Sequence, residues 1–114
     1  MVGFTFNKNE RLTKRPQFER VLASGKKRRV DRICTVFFLP NGLEGGRLGI
    51  IASKKIGNAV KRNLAKRKIR EVYRKIKSEI HPSVDVVIIS GKDLVTLPIS
   101  ILEKKISKVL LTLS

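Results

Sequence analysis

The chain predicts an α+β fold in which helices lie against a mixed, mostly antiparallel sheet. Three observations predict it. Apolar residues recur at helical spacing in some segments, while short β-branched or aromatic runs bounded by Gly, Pro and Asn occupy others. The two kinds follow one another as helix, strand, strand, helix, strand, helix. With 114 residues and a 41% hydrophobic share, one domain spanning residues 1–114 is expected, with enough apolar side chains for a modest core.

Residues 1–11 read as an extended basic lead-in. Thr13 is placed to cap a first helix, with Pro16 in the first turn, where a missing N–H is tolerated. Phe18, Val21 and Leu22 follow at helical spacing, and Gly25 marks the stop. Lys26, Lys27, Arg28 and Arg29 then read as a basic connector. Ile33 to Leu39 has strand composition. A link rich in turn residues (Pro40, Asn41, Gly42, Gly45, Gly46) leads to a second strand, Arg47 to Ser53, and the pair suggests an antiparallel hairpin. Alternation puts Phe37 and Phe38 on opposite faces and leaves open which of them points inward. The near-continuous apolar run Val84 to Ile89 suits an interior strand. Pro98 opens a last helix, whose Leu102, Ile106, Val109, Leu110 and Leu113 form a core-facing stripe.

Charge narrows the function. Lys and Arg number 26 against 9 Asp and Glu, a net +17. Such an excess repels itself in a compact domain, and a partner dense in phosphates relieves it by releasing counterions. The excess is also uneven: residues 1–79 carry net +16 and residues 80–114 net +1. The binding surface is therefore expected in the first two-thirds. Cys34 is the only cysteine and His81 the only histidine, so neither an intrachain disulfide nor a zinc site is expected. No apolar run approaches a membrane span and no secretory signal pattern opens the chain, which suits a cytoplasmic protein.

The segment Ser53 to Glu71 carries the chemistry. Gly57 and Asn58 interrupt the strand pattern, Asn58 can cap a helix, and helix formers run from Ala59 to about Glu79. Ala65, Ile69, Val72, Ile76 and Ile80 form one apolar stripe for the sheet. Arg62, Lys66 and Arg70 stack along another face, with Asn63 and Arg67 in a neighbouring row and Lys61 and Lys68 beside it. Like charges four residues apart cost roughly 0.2–0.5 kcal/mol per pair. Only Glu71 and Glu79 offer relief here. A ridge built to meet phosphates explains this pattern better than a solvated face, because Arg presents planar bidentate donors and Asn63 can both donate and accept.

The run Ser53-Lys54-Lys55-Ile56-Gly57-Asn58-Ala59-Val60-Lys61-Arg62-Asn63, continued by Lys66-Arg67 and Ile69-Arg70-Glu71, resembles the signature, often called the RNR motif, of the bacterial ribonuclease P protein family. Arg15 to Gly25 is similar to the first helix of that family, and Arg47-Leu48-Gly49-Ile50 and Asp85 to Ile89 follow in the expected places. Two positions depart from the pattern. Leu64 stands where the motif has a second arginine, and Leu22 occupies a first-helix position that is often aromatic.

The resemblance implies a ribosomal-protein-like α/β sandwich with a left-handed β-α-β crossover through the motif helix. It implies a protein that binds a catalytic RNA and the 5′ leader of precursor tRNA, the RNA subunit removing the leader with magnesium ions that it binds itself. By that resemblance Lys54, Lys55, Asn58, Lys61, Arg62, Asn63, Lys66, Arg67 and Arg70 contact the catalytic RNA. Phe18, Leu22 and Phe37 line the leader cleft. For Phe18, plain core packing is an equal reading. No catalytic set can be assembled from the residues themselves, no cofactor is required by the protein alone, and no obligate protein partner is expected. A general nucleic-acid-binding module accounts for the charge but not for the extended match, and a protein nuclease lacks a catalytic constellation. A membrane-surface helix would need a narrower polar face and interfacial Trp.

Overall fold

A computed structural model describes residues 11–43, 45–77 and 83–113. The extended lead-in over 1–10, the helix positions Glu79 and Ile80, and His81 lie outside them, as does the side chain of Leu113. The order is α1 (Arg15–Ser24), β1 (Lys26–Val30), β2 (Cys34–Pro40), β3 (Arg47–Ile51), α2 (Ala59–Ile76), β4 (Val84–Ser90) and α3 (Ile99–Leu113), with a short 3-10 turn, Lys54–Ile56, leading into α2. The strands form one mixed sheet in the order β1-β2-β4-β3.

Two expectations are corrected. Lys26 to Arg29 is not a connector: it forms β1, an edge strand paired antiparallel with β2 from Lys26↔Phe38 to Val30↔Cys34. An edge strand tolerates consecutive charges because one side meets no neighbour. The turn closes through Asp31 at φ 47, a conformation that Asp accepts more readily than most residues. Nor do β2 and β3 form a hairpin. β4 lies between them, antiparallel to β2 (Cys34↔Ser90 to Pro40↔Val84) and parallel to β3 (Arg47↔Asp85 to Ile51↔Ile89). Val84 to Ile88 are all buried, so this strand needs covering on both faces and neighbours on both edges, which outweighs the local pairing of β2 with β3.

The start of α1 is also corrected. Thr13 does not cap it; the N-cap is Lys14. The Gln17 Oε1 accepts the N–H groups of Thr13 and Lys14, at 2.9 and 3.0 Å, which fixes the helix entrance at Lys14, whereas a Thr13 cap would have had Pro16, without an N–H, as its third helical residue. In α2 the expected cap is present: Asn58 Oδ1 accepts the Lys61 N–H at 3.0 Å.

Alternation divides the sheet into two layers. On one face Val36, Phe38, Leu48, Val86 and Ile88 pack with Ala65, Ile69, Val72 and Ile76 of α2 and Leu102, Ile106 and Leu110 of α3. Tyr73 joins this core although the apolar stripe alone did not include it. Phe38 is therefore the inward residue of the pair. On the other face Leu12, Val21 and Val87 are buried, with Phe18, Leu22, Phe37, Leu39, Ile51 and Ile89 partly buried around them. Cys34 is buried, and desolvation pushes its thiol up to about 12. Among the described residues no helix is long and apolar enough to cross a membrane.

One charge sits inside this apolar frame. Asp85, on β4, is fully buried. Arg47 of β3 grips it with two bonds, Nε to Oδ1 at 2.8 Å and Nη2 to Oδ2 at 2.7 Å, and Asn41 Nδ2 donates to Oδ1 at 2.8 Å. Arg20 of α1 approaches to 3.8 Å. Burial pushes the carboxyl up, but the hydrogen bonds from Arg47 and Asn41 and the charges of Arg47 and Arg20 outweigh it and hold Asp85 below its ordinary value. The pair joins the β2–β3 link, β3, β4 and α1.

Because the folded carboxyl is depressed, its contribution to stability is complete above the unfolded value near pH 4 and fades as pH falls through the folded value. Asp85→Asn leaves the half-buried Arg47 without its counter-charge, and a loss of about 3 kcal/mol, the low end for a broken buried pair, is expected at neutral pH. Urea unfolding as a function of pH checks both points. The variant should show a flatter acid limb below about pH 4, and equal stability of the two proteins at pH 7 would contradict the structural role.

Candidate nucleic-acid interface

The apolar stripe of α2 is committed to the core, so its opposite face is fixed outward. Lys54 and Lys55 are exposed on the 3-10 turn, where Ser53 Oγ accepts the Lys55 N–H at 3.3 Å. Gly57 follows at φ 145, where a side chain would be strained, and a Cβ there would lie 2.6 Å from Lys61 Cδ. Lys61 thus lies across the glycine at the helix entrance. Asn58, Lys61, Asn63 and Arg67 are exposed, and Arg62, Lys66 and Arg70 are half-buried. Helical spacing puts Arg62, Asn63, Lys66, Arg67 and Arg70 on one side of α2, while Lys61 lies at the helix entrance and Lys54 and Lys55 on the turn before it. The structure also adds Val60, 74% exposed in the first turn, an apolar contact that charge counting did not single out.

One expected member, Asn58, and Lys68, expected only beside the ridge, have other duties. The Asn58 carbonyl oxygen is engaged in the cap, leaving its amide to face outward. Lys68 is not part of the ridge: its Nζ donates to the carbonyls of Val95 and Leu97 at 2.6 and 2.7 Å and fastens the segment before α3.

The electrostatics of the ridge are one-sided. Among the described residues every acid is engaged elsewhere: Glu19 by Arg15, Asp31 by Lys105, Glu71 by Arg74, Asp85 by Arg47, Asp93 by Arg32 and Glu103 by Lys75. None of Lys54, Lys55, Lys61, Arg62, Lys66, Arg67 or Arg70 has a carboxylate in ion-pair reach among them. The Arg62 Nε is buried without a hydrogen-bond partner. The repulsion along α2 is thus left for an external anion to relieve.

A cleft of about 120 Å³ joins this ridge to α1. Lys66 and Arg70 line one side, Phe18 and Leu12 the other, with Leu48 and Ile50 of β3 and Arg11 completing it. Arg11 was hidden from sequence reasoning because its place depends on a bridge to Leu48 beside the β3 edge. Phe18 stands directly on Gly49, where a Cβ would come within 2.5 Å of the ring, so glycine is needed for the close approach. Leu22 and Phe37 share the apolar face with Phe18 but do not line this cleft. Phe37 is half-buried, with Lys27 Nζ 5.8 Å from its ring centroid. Among the described residues no group of three His, Cys, Asp or Glu side chains could hold a metal ion.

Both the sequence and the fold have known relatives. Residues 6–114 match the family model described as Ribonuclease P. The chain belongs to the ribonuclease P protein family. It is 40% identical over 94 residues to the ribonuclease P protein component of Petrotoga mobilis, covering 82% of this chain and 79% of that one. It is 38% identical over 90 residues to the component of Thermotoga maritima, covering 79% and 76%. The solved structure of the RNase P protein from Thermotoga maritima superposes with a TM-score of 0.82 at 31% identity, covering 92% of this chain and 98% of that one. The RNase P protein of Staphylococcus aureus gives 0.78 at 30% identity, covering 91% and 94%. Membership in the family gives the chain the role of the protein subunit of ribonuclease P, a partner of the ribonuclease P RNA in tRNA processing.

The seat of Phe18 yields a test. Gly49→Ala should displace the ring and cost about 1–3 kcal/mol, the range for an overpacked contact. In a Phe18→Ala background the same change should cost far less, so a double-mutant cycle by urea unfolding should show coupling. Additive losses would mean that Phe18 does not rest on Gly49.

Proposed function

We propose that the protein holds the catalytic RNA through the α2 ridge and the 5′ leader of precursor tRNA through the α1–sheet cleft. It thereby promotes endonucleolytic removal of the leader by the RNA subunit. The observation that carries this reading is the cleft itself, which Lys66 and Arg70 of the ridge line together with Phe18. Cations set against an apolar and aromatic wall suit a single strand, whose phosphates and base faces are both available.

In this reading Lys54, Lys55, Lys61, Arg62, Asn63, Lys66, Arg67 and Arg70, with the free amide of Asn58, contact RNA backbone. Phe18 supplies a stacking surface worth about 1–3 kcal/mol per base. Leu22 and Phe37 extend the apolar wall. The magnesium ions of the reaction are held, in this reading, by the RNA subunit. The isolated protein is then a non-catalytic, cytoplasmic subunit that needs no protein partner.

The decisive assay is cleavage of a leader-bearing precursor tRNA at low magnesium by protein alone, by bacterial ribonuclease P RNA alone and by both. Accurate cleavage with both, and much slower cleavage by the RNA alone, is expected. Cleavage by rigorously RNA-free protein would overturn the assignment of the chemistry to RNA.

Arg62→Ala and Arg67→Ala should weaken assembly with the RNA while leaving thermal melting nearly unchanged, because neither side chain has a partner within the described fold. Should both variants unfold, the ridge would be structural. With about five cations on phosphates, log affinity should fall against log salt with a slope on the order of −3 to −4. A complex insensitive to salt would contradict the electrostatic account.

A further inference from the structure

The leader cleft ends, in the reading above, at the aromatic wall, but the cationic surface does not. β1 carries Lys26, Lys27, Arg28 and Arg29, all exposed. Blocking edge-to-edge pairing needs only one or two charges on an edge strand, so four in succession ask for a further reason. Alternation sends Lys27 and Arg29 to the same face as Phe37, since Lys27 pairs with Phe37 and Arg29 with Thr35. That is the α1 face of the sheet, not the α2 face.

Register lines these residues up with the cleft. Reading across the strands, Lys27 is opposite Phe37, Phe37 opposite Val87, and Val87 opposite Gly49, the residue on which Phe18 stands. The row thus runs Phe18, Val87, Phe37, Lys27. Three strand spacings separate Gly49 from Lys27, about 14 Å, or roughly four stacked nucleotides. At the far end of the row lies a depression of about 350 Å³ lined by Lys27, Arg29, Arg32 and Lys92 around Thr35 and Gly91. Its lining carboxylate, Asp31, is held by Lys105 at 3.2 Å, and Arg32 also stands 3.9 Å from Asp93, which leaves Lys27, Arg29 and Lys92 without a carboxylate in ion-pair reach among the described residues. Arg29 uses its Nε on the Asp31 carbonyl, which leaves its terminal nitrogens for other acceptors.

We propose that Lys27 and Arg29, supported by Arg32 and Lys92, form a second phosphate-binding site for single-stranded RNA, continuing the track from Phe18 across Phe37 to the β1 edge. The polarity follows from the ridge. Lys66 and Arg70, assigned to the catalytic RNA, border the Phe18 end of the row, so nucleotides at β1 are the leader residues farther from the cleavage site. The site extends the leader footprint, and it rests on the reading of the cleft as the leader site.

The test uses the holoenzyme, reconstituted with a bacterial ribonuclease P RNA, and fluorescently labelled precursor tRNA with leaders of about two nucleotides, too short to reach β1, and about ten. Anisotropy gives the affinity under conditions where cleavage is negligible. Wild type should bind the longer leader more tightly. The Lys27→Gln/Arg29→Gln variant should lose that advantage, keep the short-leader affinity, and shallow the long-leader salt slope by about 1.4, the value for two single-strand phosphates. Both positions are exposed, so melting should be unchanged. Wild-type behaviour of the double variant on both leaders overturns the proposal, and so does an equal loss on both. Phe18→Ala, run in parallel, tests the underlying reading, because Phe18 is the aromatic that lines the cleft. If it changes neither leader's affinity, the cleft reading fails; if it weakens both while the β1 pair has no effect, only the extension fails.

Discussion

Val84–Ser90 is apolar on both sides of the sheet, and a strand of that kind must be covered above and below and paired on both edges. Much of the architecture follows from this requirement. β2 and β3 supply the edges, α2 and α3 cover one face, and α1 covers part of the other. Since β3 runs parallel to β4, the chain must cross from one end of the sheet to the other, and the crossing element is α2. The helix that carries the cations is therefore required by the topology before it is required by any ligand. Its apolar stripe fixes its rotation, and that rotation puts Lys66 and Arg70 across an open seam from Phe18.

Charge is divided in the same orderly way. Each acid among the described residues is paired within the fold, but only Asp85 is buried, where it joins β3, β4, the β2–β3 link and α1 through Arg47, Asn41 and Arg20; the others lie in exposed or half-exposed pairs. The ridge of α2 is left without such ties. Folding thus uses the acids up in pairs away from the ridge, and much of the net +17 of the chain is left on a face where a polyanion can approach.

Much of this was legible in the residues. The α2 stripe, the Asn58 cap, the interior place of Val84 to Ile89 and the ridge all follow from spacing and composition. The β2–β3 pairing was misread because two adjacent strands joined by a short link look like a hairpin, whereas the partner that displaces this pairing comes more than thirty residues later in sequence. β1 was misread because four consecutive cations mask the extended backbone, although Gly25 before it and the Asp31 turn after it bound the run. Lys68 shows the limit of helical-wheel reasoning: its position suits the ridge, but the carbonyls of Val95 and Leu97 draw its ammonium away. Arg11 and Gly49 gain meaning only from a long-range bridge and a close ring contact, which no local pattern encodes.

The burial of Cys34 has a practical side. The only thiol of the chain lies in the core, and desolvation keeps it protonated at neutral pH, so it reacts poorly while the fold is intact. The surface is thereby chemically silent toward maleimides and iodoacetamides without any residue having been removed. A cysteine placed at an exposed position such as Val60, beside the ridge, would be the sole reactive handle on the native molecule. The natural sequence is already suited to mapping its ribonucleoprotein neighbours by site-directed cross-linking or distance-sensitive dyes.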